Sequence, residues 1–301
     1  DAEKKIRLNF RGYLWKMRQA PALSLLYAAA IAISGARYDA ASVFFIILWI
    51  ASPYIAYRIS SDSIKQKPVL SGEDRKNIER IGRNTWSYYE ELVCKESNFL
   101  PPDNYQEYPL KGAAPRTSPT NIGLYMVSTL AAADMGYITM SQALERLNST
   151  MDTIEKLESW KGHLYNWYDI KTLEVLRPHY VSTVDSGNFI SYMLLLEQAL
   201  SEPLEKSDDR NIAADMKKRI GRVVERTKFI HLYDRKKNLF SIGYDAERES
   251  LTNSYYDLLA SEARTTSYMA AARREVPFKH WNKLGRSLTH TGRNKALVSW
   301  S

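Results

Sequence analysis

Two helical rhythms of apolar and polar residues alternate along this chain. From Glu73 to Val93, Ile78, Ile81, Tyr88, Tyr89 and Leu92 stand against a charged face, the pattern of a half-buried amphipathic helix. Asn121 to Met135 is apolar nearly all round, as a fully buried helix is, and Gly136 follows as a stop. Ser141 to Trp160 returns to the first kind: Met140, Leu144, Leu147, Met151, Ile154 and Leu157 recur at helical spacing, and Thr139 with Gln142 forms a capping box. Phe189 to Leu200 is again apolar all round. Asp208 to Thr227 is amphipathic, with Ile212, Met216, Ile220 and Val223 on one face, and Tyr255 to Ala272 is mostly apolar and small. The order is outer, inner, outer, inner, outer, inner. Such alternation predicts an all-α fold in which buried helices form an inner ring and amphipathic ones wrap it. Three helix pairs make about half of an (α/α)6 toroid, and the terminal apolar run ALVSWS predicts that the ring continues past residue 301.

The first sixty residues follow neither rhythm. Ala40 to Tyr57 carries no charge over eighteen residues, which meets the length of a membrane helix, and Ala22 to Ala36 is shorter. Only Arg37, Tyr38 and Asp39 separate them, which predicts a transmembrane hairpin. Lys4, Lys5, Arg7, Arg11, Lys16 and Arg18 precede it, and Arg58, Lys65, Lys67, Arg75 and Lys76 follow. Cations on both flanks place both ends in the cytoplasm. The competing reading is a buried hairpin of a soluble protein. The expected division is residues 1–69, a basic lead and hairpin in the lipid bilayer of a cytoplasmic membrane, and residues 70–301, a half-barrel on the cytoplasmic side.

Composition changes this picture little. The net charge of +8 suits either nucleic acid or a membrane protein, but no basic helix interleaves aromatics as a nucleic-acid binder does, and much of the excess flanks the apolar runs. The single cysteine, Cys94, cannot form an internal disulfide. There is no GxGxxG and no GxxxxGK[ST], and the five histidines are scattered without metal-ligand spacing. No cofactor, metal or nucleic acid is expected.

The candidate chemistry sits in the connections. In a toroid the loops leading into inner helices open at one mouth, where free helix N–H groups also face. These loops are Arg116 to Asn121, Gly162 through Asn188 (which includes GHLYNWYD and YVSTVDSGN), and Gly243 to Asp257. They offer Asn121, His163, Trp167, Tyr168, Asp169, Asp185, Asn188 and Tyr256. Aromatic faces stack on sugar rings, and amides, carboxylates and imidazoles bond to hydroxyls. Ordinary core packing explains the aromatics equally, and helix capping explains Asp185 and Asn188. Glu262, placed by helical spacing on an apolar face with Tyr255, Leu258, Leu259, Thr266 and Met269, would have its charged form disfavoured, as a general acid requires. Pairing with an arginine, or capping of backbone amides, is the other reading of it.

The stretches RTSPTNIGLYMVSTLAAADMGYI, GHLYNWYD, YVSTVDSGNF, YYDLLASEAR and ALVSWS resemble, collinearly from about Leu70 to Ser301, the central region of bacterial cyclic β-1,2-glucan synthases. The resemblance implies large inner-membrane proteins in which a glycosyltransferase portion builds linear β-1,2-glucan from UDP-glucose. A glucoamylase-like (α/α)6 barrel then closes the chain by retaining transglycosylation. It implies that Glu262, in the SEAR motif, is the general acid/base and that the nucleophile lies beyond residue 301, so that this stretch alone is inactive. A β-1,2-glucan hydrolase of the same fold and a non-catalytic glycan-binding membrane module are the alternatives.

Overall fold

The computed structural model describes residues 10–60, 70–202, 207–292 and 294–299. Lys4, Lys5, Arg7, Lys65 and Lys67 of the cationic flanks, and Trp300 and Ser301 of the terminal apolar run, lie outside the described residues. The chain divides into two compact units, residues 1–72 and 73–301.

The first unit holds α1 (Phe10–Lys16), α2 (Gln19–Ser34) and α3 (Ala40–Ser60). Gly35 ends α2 in the left-handed conformation, and the Asp39 carboxylate caps α3 by accepting from the Ser42 N–H at 2.6 Å. α2 packs on α3, and the buried Ser24 hydroxyl donates to the Ile46 carbonyl at 3.0 Å. α3, at 21 residues, is the one helix among the described residues long and apolar enough to cross a membrane.

The second unit opens with α4 (Gly72–Leu92). Its apolar stripe is used only at its C-terminal end: Trp86 is buried and Tyr89 packs on Tyr125, whereas Ile78 and Ile81 are exposed. The remaining helices are α5 (Pro119–Asp134), α6 (Met140–Ile154), α7 (Thr183–Ala199), α8 (Ser207–Arg226), α9 (Arg264–Ala272) and α10 (Lys279–Lys283). α5 packs on α7 and α7 on α9; α6 and α8 lie against them as a second layer. α6 begins at the expected capping box and buries Leu144, Leu147, Met151 and Ile154 completely.

Between α6 and α8, a buried arginine joins the outer layer. Arg219 donates to Asp152 and Glu155, each at 2.7 Å, and to the Asn148 side chain. The guanidinium holds the Glu155 carboxyl below its usual range. This contribution to stability is present above the ordinary glutamate pKa of about 4.3 and is lost as pH falls through the lowered native value. Arg219→Ala is expected to cost about 2 kcal/mol, since both carboxylates are partly hydrated. The midpoint of urea unfolding measures it.

The fold is mostly helical, but it is not purely so. The loops carry short antiparallel strands: Arg116–Thr117 pairs with Tyr168–Asp169, Tyr180–Ser182 with Gly243–Asp245, and Leu239–Ser241 with both Tyr233–Asp234 and Tyr255–Tyr256. Three boundaries differ from the sequence reading. α6 ends at Ile154 rather than running to Trp160, because Ser159–Trp160 turns into a strand paired with His163–Leu164. Thr183 to Asn188 belongs to α7 rather than to the loop before it. Tyr255 to Ala263 is not helical, because Tyr255 and Tyr256 pair with Ser241 and Phe240 and the Leu259 N–H donates to the Gly285 carbonyl. α9 begins only at Arg264.

Candidate active site

Three parallel helix starts meet in the second unit. Ser118 caps α5 and Ser182 caps α7, each hydroxyl accepting from the backbone N–H three residues on, at 3.2 and 3.1 Å. These caps free Asp185 and Asn188 for other partners. The Thr120 hydroxyl donates to Asp185 Oδ1 at 2.6 Å and accepts from Asn188 Nδ2 at 3.3 Å, so the first turns of α5 and α7 are laced together. In the amide orientation that satisfies both ends of Asn166, its nitrogen donates to Asp185 Oδ2 at 3.0 Å and its oxygen accepts from the Trp167 indole at 2.9 Å.

The network continues through Trp167. The Arg116 guanidinium lies 4.4 Å from the indole centre and donates to Asp103 Oδ2 at 3.0 Å. Asp103 Oδ1 accepts from Asn121 Nδ2 at 3.1 Å. Asn121, Trp167, Asp185 and Asn188 are therefore drawn into one half-buried polar array. Asp103, Arg116, Thr120 and Asn166 join it without having been singled out. Asp103 follows two prolines in PPDN, which reads only as a turn, and no spacing links it to Asn121.

Glu262 is not on an apolar helix face, which removes the premise for a desolvated carboxyl. It is exposed, in the turn just before α9. Its neighbour is Tyr256, a buried residue whose hydroxyl donates to Glu262 Oε1 at 2.9 Å. Burial first, then the Glu262 carboxylate, raises the pKa of this phenol; the charges of Tyr180 and Asp185 add to the rise. The phenol thus lies within the electrostatic reach of both the α7 carboxylate and the turn before α9.

Three expected residues stand apart. The Tyr168 hydroxyl donates to the Glu158 carbonyl at 2.6 Å and accepts from the Tyr165 N–H; the ring is fully buried. Asp169 closes a turn, Oδ1 accepting from the N–H groups of Lys171 and Thr172. His163 is fully buried against Trp160 and Phe229, with Nε2 3.1 Å from the Lys228 carbonyl. All three are occupied by packing and backbone contacts of their own. A cavity of about 670 Å³ lined by Tyr233, Asn238, Glu275 and Phe278 includes none of the candidate residues. Among the described residues, no group of three or more His, Cys, Asp or Glu side chains could hold a metal ion.

Burial pushes the His163 pKa down from 6.5 to about 4. The unfolded chain therefore binds a proton below pH 6.5 that the native state refuses. Stability is expected to fall between pH 6.5 and 4, by about 3 kcal/mol from this group. His231 and His280, also lowered by burial, act in the same direction. Unfolding midpoints from pH 7 to 4.5 should show the decline, with a flatter slope in His163→Leu. An unchanged slope would remove the assignment.

With this geometry in hand, the chain can be set beside known proteins. It is 31% identical, over 409 residues and 96% of its own length, to the cyclic beta-(1,2)-glucan synthase NdvB of Rhizobium meliloti (strain 1021). The chain is a relative of that synthase. The expected resemblance is borne out, and it covers both units. The match spans 14% of the synthase's length. Because 409 exceeds the 301 residues of this chain, the aligned region of the synthase includes positions without a counterpart here. No profile of a known protein family matches.

Solved structures share the fold at low identity. An endo-β-1,2-glucanase from Chitinophaga pinensis, solved with sophorotriose and glucose, superposes with a TM-score of 0.59 at 19% identity over 76% of this chain and 56% of that one. A glucoamylase-like protein from Bacteroides fragilis gives 0.61 at 17% identity, over 78% of this chain and 57% of the other. A β-1,2-glucanase from Parabacteroides distasonis gives 0.55 at 13% identity, over 67% and 28%.

Proposed function

We propose that this chain is the counterpart, within a membrane-bound cyclic β-1,2-glucan synthase, of the last membrane segments and the first half of the ring-closing domain. The supporting observation is the 31% identity to such a synthase across 96% of the chain. On this reading α2 and α3 are a hairpin in the inner membrane. α4 to α9 are three pairs of an (α/α)6 toroid on the cytoplasmic side, fed with glucan by a UDP-glucose-using portion of the same protein.

On this reading the side chains take the following roles. Asn121, Asp185 and Asn188 bond to glucose hydroxyls, and Trp167, backed by Arg116, offers a ring to a sugar face. Glu262 gives a proton to the glycosidic oxygen as that bond breaks. A carboxylate nucleophile from outside residues 1–301 takes the anomeric carbon. The 2-hydroxyl at the far end of the same glucan then displaces it, losing its proton to Glu262, and the ring closes with retention.

A hydrolytic reading draws on the β-1,2-glucanases among the fold neighbours. The two readings differ in whether water or a sugar hydroxyl ends the covalent intermediate. The full-length protein that carries this chain is expected to convert linear β-1,2-glucan into rings, resolved by mass spectrometry as products lighter by one water. Short linear oligosaccharides alone would give the hydrolytic reading. Neither product would overturn both.

A further inference from the structure

We propose that Tyr256 is a positioning residue for Glu262: it fixes the carboxyl for proton transfer rather than binding sugar. The inference rests on Glu262 being the acid/base. Glu262 is an exposed glutamate in a turn, and such a side chain has rotamer freedom that costs roughly 1.5–2 kcal/mol to remove. Something must hold it if it is to meet a glycosidic oxygen reproducibly. Tyr256 has the means. Its backbone is paired with Phe240 in a three-stranded sheet, and its ring is 5% exposed. Its hydroxyl donates to Oε1 at 2.9 Å, across a spacing of six residues that no regular helix would bring together.

The phenol is also suited to remain a donor. Glu262, Asp185 from the first turn of α7 and Tyr180 from the strand leading into α7 all oppose its ionisation, in addition to burial. It therefore keeps its proton and stays a donor to Glu262 Oε1, so that the carboxyl is held in one rotamer.

Two variants of the full-length protein test this. Tyr256→Phe keeps the ring and loses the donor. Its kcat on linear β-1,2-glucan is expected to fall about 10- to 100-fold with KM nearly unchanged. Replacing Tyr256 by 3-fluorotyrosine keeps both the shape and the donor, so kcat should stay close to that of the unsubstituted protein. An unchanged kcat in Tyr256→Phe, an equal loss in both variants, or a rise in KM alone would overturn the proposal while leaving Glu262 as the acid/base. Full activity in Glu262→Gln would overturn the reading beneath it.

Discussion

Glu262→Gln in the full-length protein is expected to lower ring closure by about 10³-fold and to leave synthesis of linear glucan intact. General acid–base catalysis contributes roughly 10²–10⁴ in rate, and a glucose hydroxyl is a poor leaving group without a proton. Glutamine is nearly isosteric, and its amide oxygen can still accept from Tyr256, so the loss reports the missing proton rather than a disturbed turn. Two further measurements separate an acid/base from a nucleophile. A β-1,2-glucan carrying an activated aryl leaving group needs no proton to depart, so the variant should still form the covalent intermediate. Azide, which needs no general base, should then accelerate turnover and give a glycosyl azide of retained configuration. A nucleophile variant would form no covalent intermediate, and azide attacking in its place would give the inverted product. Normal cyclic product from Glu262→Gln would sink the assignment.

The helices were legible where a local rule decided them. The 3.6-residue period of Leu144, Leu147, Met151 and Ile154, with the Thr139–Gln142 box before it, places the start and the buried face of α6 because both signals are made within a few residues; its end, at Ile154 rather than Trp160, is set by strand pairing further on. Gly136, at φ 73°, ends the turn after α5 where its freedom predicted. Tyr255 to Ala263 was illegible for the opposite reason. Tyr-Tyr-Asp-Leu-Leu suits a helix or a strand equally, and its partners Phe240, Ser241 and Gly285 lie 14 or more residues away. That error moved Glu262 from an apolar helix face to an exposed turn. Two-residue strands carry no visible alternation, so the sheets that hold Trp167 between His163 and Asp169 could not be read either. The array from Asp103 to Asn188 is assembled by tertiary contacts alone. Its members were recognisable as polar residues near helix starts, but their order of contact was not. Likewise, VDSGN reads as a helix breaker followed by a start, whereas Gly187 is inside α7.

Gly187 is there because another helix is in the way. A Cβ at this position would stand 2.6 Å from Thr266 Cβ and 2.9 Å from its Cγ2, with Oγ1 nearer still. Thr266 is fully buried on α9, and its hydroxyl donates to the Thr183 carbonyl at 3.4 Å. A β-branched side chain is stiff at χ1, and with all three of its heavy atoms too close no rotation opens a space. Gly187→Ala must therefore push α7 and α9 apart. Overpacking costs roughly 1–3 kcal/mol and occasionally more, against about 1 kcal/mol gained from the helix propensity of alanine over glycine. The upper end of that range applies, because the obstacle is anchored on a second helix. A net loss of about 2 kcal/mol is expected, or a fall in Tm of roughly 4–8 °C for a unit of this size. Thr266→Ala in the same chain removes two of the three obstructing atoms and should recover part of the loss. Gly187 also lies between Asp185 and Asn188, and α9 begins two residues after Glu262. Separating the helices thus displaces the proposed proton donor from the proposed sugar-binding array. The variant should therefore lose ring closure more steeply than its stability alone requires. A Gly187→Ala protein with an unchanged unfolding midpoint would show that α7 and α9 do not pack as closely as the contact of Gly187 with Thr266 demands.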